Sequence, residues 1–386
     1  MAENKEKKVL NVPNLRFPEF EGEWQETRLK EISKFSKERL NSIELSCCNY
    51  VTTENMLQDY KGIVSATNLP TNTNVVKFSK GDVLLSNIRP YLKKVWYADR
   101  NGGCSADVFV FKALPICNSN FLHHVIANDR FIKFVMGGAK GVKMPRGDKE
   151  QMITYKVGLP CIEEQKKIAN LLSLLDDRIS TQNKIIEDLK KLKCAIIEKL
   201  YSEIQGKEYL YGQLFEVVNK RNKQMEYSNI LSASQEKGMV NRDDLNLDIQ
   251  FERSNINTYK IVRAGDYVIH LRSFQGGFAF SDKLGVCSPA YTILRPNCLL
   301  EYGYLSYYFT SHRFIKSLII VTYGIRDGRS INIEEWLNMK VIIPSKEHQL
   351  HTLKILRSLD GKIENEETYT ICLSNQKQHL LQQMFI

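Results

Sequence analysis

A chain of 386 residues with 25% charged and 43% hydrophobic residues has ordinary globular composition and material for two or three domains, each with its own core. Its formal net charge of +10 favours a polyanionic partner or an acidic protein surface and does not choose between them. The opening MAENKEKKVLNV carries positive charge with no apolar core behind it, and runs such as SLIIV at 317–321 are far too short to span a bilayer, so a soluble cytoplasmic protein with no membrane association is expected.

In chain order, VVKFSKGDVLLSNI (75–88) reads as a strand, a Lys-Gly-Asp turn and a second strand. ADVFVFKAL follows as another strand, and NFLHHVIANDRFIKFVMGG carries apolar residues at helical spacing. A helix of about 40 residues comes next, with apolar positions Ile168, Leu172, Leu175, Ile179, Ile186, Leu189, Ile196 and Leu200 in a heptad seam broken by Gln182 and Lys193. Pro160 stands near its start and Glu163 and Glu164 near its first turn. Lys190, Lys191, Lys193 and Lys199 lie toward its end, as the macrodipole favours, and the helix is expected to stop near Gly206. AYTILRPN is a strand candidate and GYLSYYFTSHRFIKSLII another helical stretch. A second long helix keeps Leu356, Leu359, Ile363, Leu373, Leu380 and Met384, with a weaker middle at Glu366 and Thr370.

The second half repeats the first. Pro160 and Pro344 are 184 residues apart, as are Gln165 and Gln349, Leu175 and Leu359, Asp176 and Asp360, and Ile179 and Ile363. Offsets of 183 to 185 residues also pair Leu29-Lys30-Glu31-Ile32 with Leu214-Phe215-Glu216-Val217, Arg89 with Arg272, Cys104-Ser105 with Cys287-Ser288, and Arg146 with Arg329. The order never breaks, so the chain is an internal duplication. The expected division is a globular domain over 1–158, a helix over 159–205, a second globular domain over 206–343 and a second helix over 344–386. A helix roughly 60 Å long with one apolar seam needs a partner. Antiparallel pairing of the two copies would place the domains at opposite ends of a coiled coil with a pseudo-twofold axis. The expected fold class is therefore α/β, two globular domains joined by two long helices.

Catalytic chemistry has little support. No G-x-S-x-G, H-E-x-x-H, Walker A or N-P-P-Y sequence is present, and Asp176-Asp177 reads as helix surface rather than a metal site. The nine cysteines are scattered, with Cys47 and Cys48 adjacent and no C-x-x-C spacing, and the seven histidines are dispersed, so no metal cluster forms. Basic loops remain. Residues 137–149 hold Lys140, Lys143, Arg146 and Lys149, and residues 87–100 hold Arg89, Lys93, Lys94 and Arg100 among Tyr91, Trp96 and Tyr97. Arg272, Arg326 and Arg329 occupy the matching stretches of the second copy. Arginine can read guanine edges and lysine can neutralise phosphate, so the DNA-binding candidates are Arg89, Lys93, Lys94, Lys140, Lys143, Arg146, Arg272, Arg326 and Arg329. Residues 36–75 and 221–257 scarcely align while the helix openings do, as expected of a kept frame carrying two different recognition surfaces.

PNLRFPEFEGEWQETRLKEI at 13–32, KGDVLLSNIR at 80–89 and the paired LPCIEEQKKIANLLSLLDDRI and IPSKEHQLHTLKILRSLDGKI resemble the specificity subunit of Type I restriction-modification enzymes over nearly the whole chain. The resemblance implies two target-recognition domains that read a bipartite asymmetric sequence in double-stranded DNA, and no catalysis or cofactor in this chain. It implies two methyltransferase subunits using S-adenosylmethionine, and two restriction subunits using ATP and Mg in the full complex. The helices would set the spacer and dock the methylating subunits, through Glu164, Gln165, Leu172, Leu175, Gln349, Leu356 and Leu359. The rivals are a self-contained nuclease or methyltransferase, and a scaffold whose basic loops meet acidic proteins.

Overall fold

The computed structural model describes residues 11–141, 143–234, 237–244, 253–270, 277–323 and 330–386. They form two compact units, one of Met1–Gln182 with Tyr369–Ile386 and one of Asn183–Thr368. The division falls inside the long helices rather than at their starts, so each unit contains a globular part and a portion of both helices.

In the first unit the strand Gln25–Arg28 pairs antiparallel with Lys156–Leu159, which brings the start of the globular part beside its end. A four-stranded antiparallel sheet runs in the order Ser33–Phe35, Val108–Ala113, Val83–Ser86, Val95–Tyr97. The expected strand-turn-strand over 75–88 is present as Asn74–Phe78 and Val83–Ser86, but the two strands belong to different sheets. The first pairs with Arg39–Asn41 and Gly102–Cys104. A Cβ on Gly102 would lie 2.1 Å from the Asn49 carbonyl oxygen, so only glycine admits the neighbouring backbone there.

Val83–Ser86 is buried on both faces. Val83 and Leu85 join Phe109, Phe111, Phe121 and Phe131 in the main core, while Leu84 packs with Phe78, Trp96 and Val110 on the other side. The helical stretch over 120–138 is two helices, Ser119–Ile126 and Asp129–Gly137. Asn128 interrupts it by capping the second helix, its side chain accepting from the Arg130 N–H. Burial holds the His124 imidazole neutral, its pKa well below the ordinary value.

The second unit repeats this plan. Lys207–Leu210 pairs with Lys340–Ile343, and a four-stranded sheet runs Phe215–Val218, Thr292–Pro296, Tyr267–Ile269, Phe278–Phe280. Its core is more aromatic. Tyr211 stacks on Trp336 at 4.2 Å, and Phe215, Phe278, Phe309 and Phe314 surround them.

The long helices span Ile162–Ser202 and Lys346–Met384. The first stops short of the expected Gly206. Ile168, Leu172 and Ile186 are buried as the heptad predicts, but at the far end Ile197 and Tyr201 are buried where Ile196 and Leu200 are expected. The apolar stripe turns by one residue there because Tyr201 enters the aromatic core and its hydroxyl donates to the Tyr304 carbonyl.

Antiparallel helix pairing is visible within each unit. In the first, Ile168 and Leu172 share a core with Leu381 and Met384, and Asp176 bonds Lys377. In the second, Lys190 bonds Glu367, Lys193 bonds Asp360, and Ile197 shares a core with Leu353 and Leu356. Asp176 is thus a member of the helix interface, which corrects its reading as helix surface. Surrounding protein holds its carboxyl above the ordinary range, and Lys377 only partly offsets that.

One glutamine ties each helix start to its globular part. Gln165 donates to the Ile116 and Pro160 carbonyls at 3.1 and 2.9 Å and accepts from the Asn118 N–H at 2.8 Å. Gln349 donates to the Leu299 and Pro344 carbonyls at 3.0 and 3.1 Å and accepts from the Glu301 N–H at 2.8 Å. Both side chains are buried, so Gln165→Leu leaves three backbone groups unsatisfied and should cost about 2–4 kcal/mol. Hydrogen exchange should accelerate at the Asn118 amide and remain unchanged at Glu301, with the reverse result for Gln349→Leu. Unchanged exchange at both amides would show that these bonds do not hold the helix starts.

Candidate nucleic-acid interface

Two basic stretches separated by some fifty residues meet in the first unit. The turn Pro90–Leu92 follows the inner strand Val83–Ser86, and its flanking residues Arg89 and Lys93 are both left-handed, with φ of 51° and 53°. Lys140 and Arg146 close a hairpin through two backbone hydrogen bonds of 2.9 Å each. The Arg89 N–H donates to the Pro145 carbonyl at 2.8 Å, and Ile88 bridges to Arg146, which joins the turn to the hairpin. A third segment straps the turn from the other side. Asp59 and Tyr60, left-handed as well, donate their N–H groups to the carbonyls of Leu92 and Lys93 at 3.1 and 3.0 Å. Four of the six non-glycine residues with positive φ among the described residues therefore gather around one turn. Strain of this kind persists only where the surroundings over-determine it, and it concentrates at functional sites.

The cations here differ in availability. Lys93 pairs with Asp129 at 2.9 Å, and the Tyr60 hydroxyl bonds the same carboxylate. Lys94 donates to the Thr53 carbonyl at 2.6 Å. Lys140 pairs with Asp148 at 2.6 Å and lowers that carboxyl below its ordinary range, while Arg146 pairs with Asp107 at 3.2 Å. Lys143, at the hairpin tip, is exposed and has no carboxylate partner among the described residues. The Arg89 Nε is buried without a hydrogen-bond partner. The structure thus brings together Arg89, Lys93, Lys94, Lys140, Lys143 and Arg146. Arg272, Arg326 and Arg329 lie outside the described residues.

The seven helix positions expected to dock a partner sit in packing. Glu164 is buried and receives two 2.8 Å hydrogen bonds from Arg16, which holds that guanidinium above its usual pKa. Gln165 and Gln349 form the locks described above. Leu172 and Leu356 belong to cores, and Leu175 and Leu359 are half-buried. The exposed apolar residues of these helices are others, including Leu174, Leu192, Leu350 and Ile371. They lie off the heptad seam, which was the sequence signal available for finding them.

Residues 21–191 match the family model for the type I restriction modification DNA specificity domain. Over 93% of this chain and 91% of the relative, the sequence is 25% identical to the type I restriction enzyme MjaVIII specificity subunit of Methanocaldococcus jannaschii. The chain is thus similar, over nearly its whole length, to a type I restriction enzyme specificity subunit. A putative MjaX specificity subunit from the same organism is 25% identical over 55% of this chain and 54% of that relative. Two solved structures have the same fold. One comes from a study of complex assembly and conformational transition in the type I system, with TM-score 0.59, 17% identity and coverage of 93% of this chain and 96% of that one. The other is the S subunit from M. genitalium, with TM-score 0.57, 15% identity and coverage of 97% and 99%.

Left-handed backbone costs a non-glycine residue about 1–2 kcal/mol. Arg89→Gly should therefore be more stable than Arg89→Ala by about 1 kcal/mol in denaturant unfolding, although both remove the same side chain. Equal stability would show that the backbone at Arg89 is not strained.

Proposed function

We propose that the two globular parts each read one half of a bipartite, asymmetric sequence in double-stranded DNA. The observation that carries this is the repetition of one fold in two units whose frame segments align and whose segments 36–75 and 221–257 do not. The match of residues 21–191 to the type I DNA specificity-domain model and the joined basic loops of the first unit support it. Arg89 is proposed to meet a base edge. Lys143 is proposed as the main phosphate contact, with Lys93, Lys94, Lys140 and Arg146 around it, and Arg272, Arg326 and Arg329 serve the second half-site. The functional division follows 1–158, 159–205, 206–343 and 344–386.

In this reading the chain contributes recognition and positioning. Adenine methylation belongs to two methyltransferase subunits that bind S-adenosylmethionine and expose the target base, and ATP- and Mg-dependent cleavage belongs to two restriction subunits. The paired helices dock the methylating subunits and set the gap between half-sites, and the assembly works in the cytoplasm. Glu164, Gln165, Leu172, Leu175, Gln349, Leu356 and Leu359 act in docking by shaping the helix pair from within, and the exposed Leu174, Leu192, Leu350 and Ile371 present the contact surface.

Methylome sequencing of a host with and without this chain tests the proposal. A split adenine-methylation motif should depend on it. Exchanging 206–343 for the matching region of a relative should change one half of that motif and leave the other half and the gap intact. A change in both halves, or no motif dependent on the chain, would contradict it.

A further inference from the structure

Two cations face each other in the second unit with no acid between them. The segment after Phe215–Val218 runs beside the segment that enters Lys260–Val262. The Ile261 N–H donates to the Lys220 carbonyl and the Asn222 N–H to the Tyr259 carbonyl, both at 2.8 Å. These two bonds bracket Arg221 and Lys260, which stand directly opposite each other as an antiparallel bridge. A pair bracketed in this way exchanges no backbone bonds of its own and lies closer than its neighbours, about 4.5 Å between Cα atoms, with both side chains on one face. Like charges at such a position are destabilising. Burial first, and the Arg221 charge as well, hold the Lys260 ammonium below its usual pKa. Among the described residues no carboxylate forms an ion pair with Arg221, Lys260 or the neighbouring Lys220 and Lys223. The corresponding ladder of the first unit is arranged the other way. Arg39 faces Val76 there, and Lys77 and Lys112 both reach Glu38, at 3.7 and 2.8 Å.

The opposed pair is also locked in place. Asn222 is buried with each of its polar atoms engaged. Besides its N–H, its carbonyl accepts from the Met225 N–H at 2.9 Å, its Nδ2 donates to the Tyr227 carbonyl at 2.7 Å and its Oδ1 accepts from the Tyr227 N–H at 3.3 Å. The turn closed in this way keeps Met225 left-handed, with φ of 54°. The Lys260 Nζ donates to the Tyr291 carbonyl at 2.7 Å, which fixes the head and leaves two of its three N–H groups for another acceptor. We propose that Arg221 and Lys260 together hold one backbone phosphate of the second half-site. An anion that both cations reach relieves their repulsion, and a phosphate diester suits both, since guanidinium and ammonium each donate to its oxygens. A contact of this kind fixes the position of the duplex and reads no base. A carboxylate of a partner protein is the competing occupant.

This inference rests on the DNA reading proposed above, and its test separates the two. The full chain, purified with its modification subunits, is titrated against duplexes carrying the methylated motif, each ethylated at a single phosphate. With the wild-type chain, ethylation of one phosphate in the half-site set by 206–343 should weaken binding about ten-fold. Arg221→Gln combined with Lys260→Gln should weaken binding to the unmodified duplex by about as much and lower the slope of log affinity against log salt by about one. Ethylation of that phosphate should then weaken binding no further. The free chain supplies a second readout. At low salt Arg221→Gln should raise the urea midpoint, because it removes one of two facing charges. The phosphate contact is overturned if every ethylation weakens the double variant as it does the wild type, or if Arg221→Gln fails to raise the midpoint. It is also overturned if the double variant loses its modification subunits with an unchanged salt slope, which assigns the pair to an acidic protein surface. A wild-type assembly with no preference for the motif over random DNA overturns the DNA reading instead, and the phosphate contact with it.

Discussion

Everything in this chain depends on keeping two long, one-faced helices in a fixed antiparallel register, and two ion pairs within the helix interfaces fix it. Asp176 bonds Lys377 in the first unit, and Asp360 bonds Lys193 in the second. These pairs are copies of each other, since Asp360 is the repeat of Asp176 and Lys377 the repeat of Lys193. An apolar seam alone tolerates a slip of one heptad. Here a slip of one heptad would set Asp176 opposite Thr370 or Met384, neither of which supplies a cation. The penalty falls on the wrong registers, which is the best-attested use of polar groups in such interfaces.

The globular parts are attached to these helices by equally repeated devices. The strand pairs 25–28 with 156–159 and 207–210 with 340–343 bring each part's two ends together just before its helix begins. Gln165 and Gln349 then fasten the helix starts by the same three hydrogen bonds. What varies is the contents. The first unit has a second four-stranded sheet and a buried histidine at 124, while the second has Tyr307 at the matching position and a larger aromatic core. The Arg16–Glu164 pair belongs to the first copy alone, because His348 stands at the position matching Glu164. Attachment is thus conserved between the copies while the surfaces carried beyond it differ, as the proposed reading of two unlike half-sites requires.

The duplication, the long helices and the strand-rich domains were legible because each rests on spacing along the chain. The role of Asp176 was not, since its partner is some two hundred residues away and a carboxylate in a heptad reads as surface until that partner is known. Gln165 and Gln349 stood out as repeats, but repetition alone could not tell an internal lock from an external contact. Their burial places them among the chain's own carbonyls. In the basic loops, residue type indicated charge but not which charges are opposed. Lys140 and Arg146 meet acids that the sequence places at 148 and 107, and among the described residues Lys143 meets none. The strained backbone at Asp59, Tyr60, Arg89 and Lys93 left no trace in sequence, because none of these residues is the glycine that usually announces it.

If Asp176–Lys377 and Asp360–Lys193 set the helix register, a charge-reversal cycle in denaturant reports their coupling. Asp176→Lys and Lys377→Asp should each destabilise the chain, and together they should recover a coupling of about 1–2 kcal/mol, modest because Asp176 remains partly exposed. Asp176→Lys combined with Lys193→Asp should recover nothing, since those residues do not pair. Strict additivity in the first combination, or equal recovery in both, would show that these pairs do not set the register.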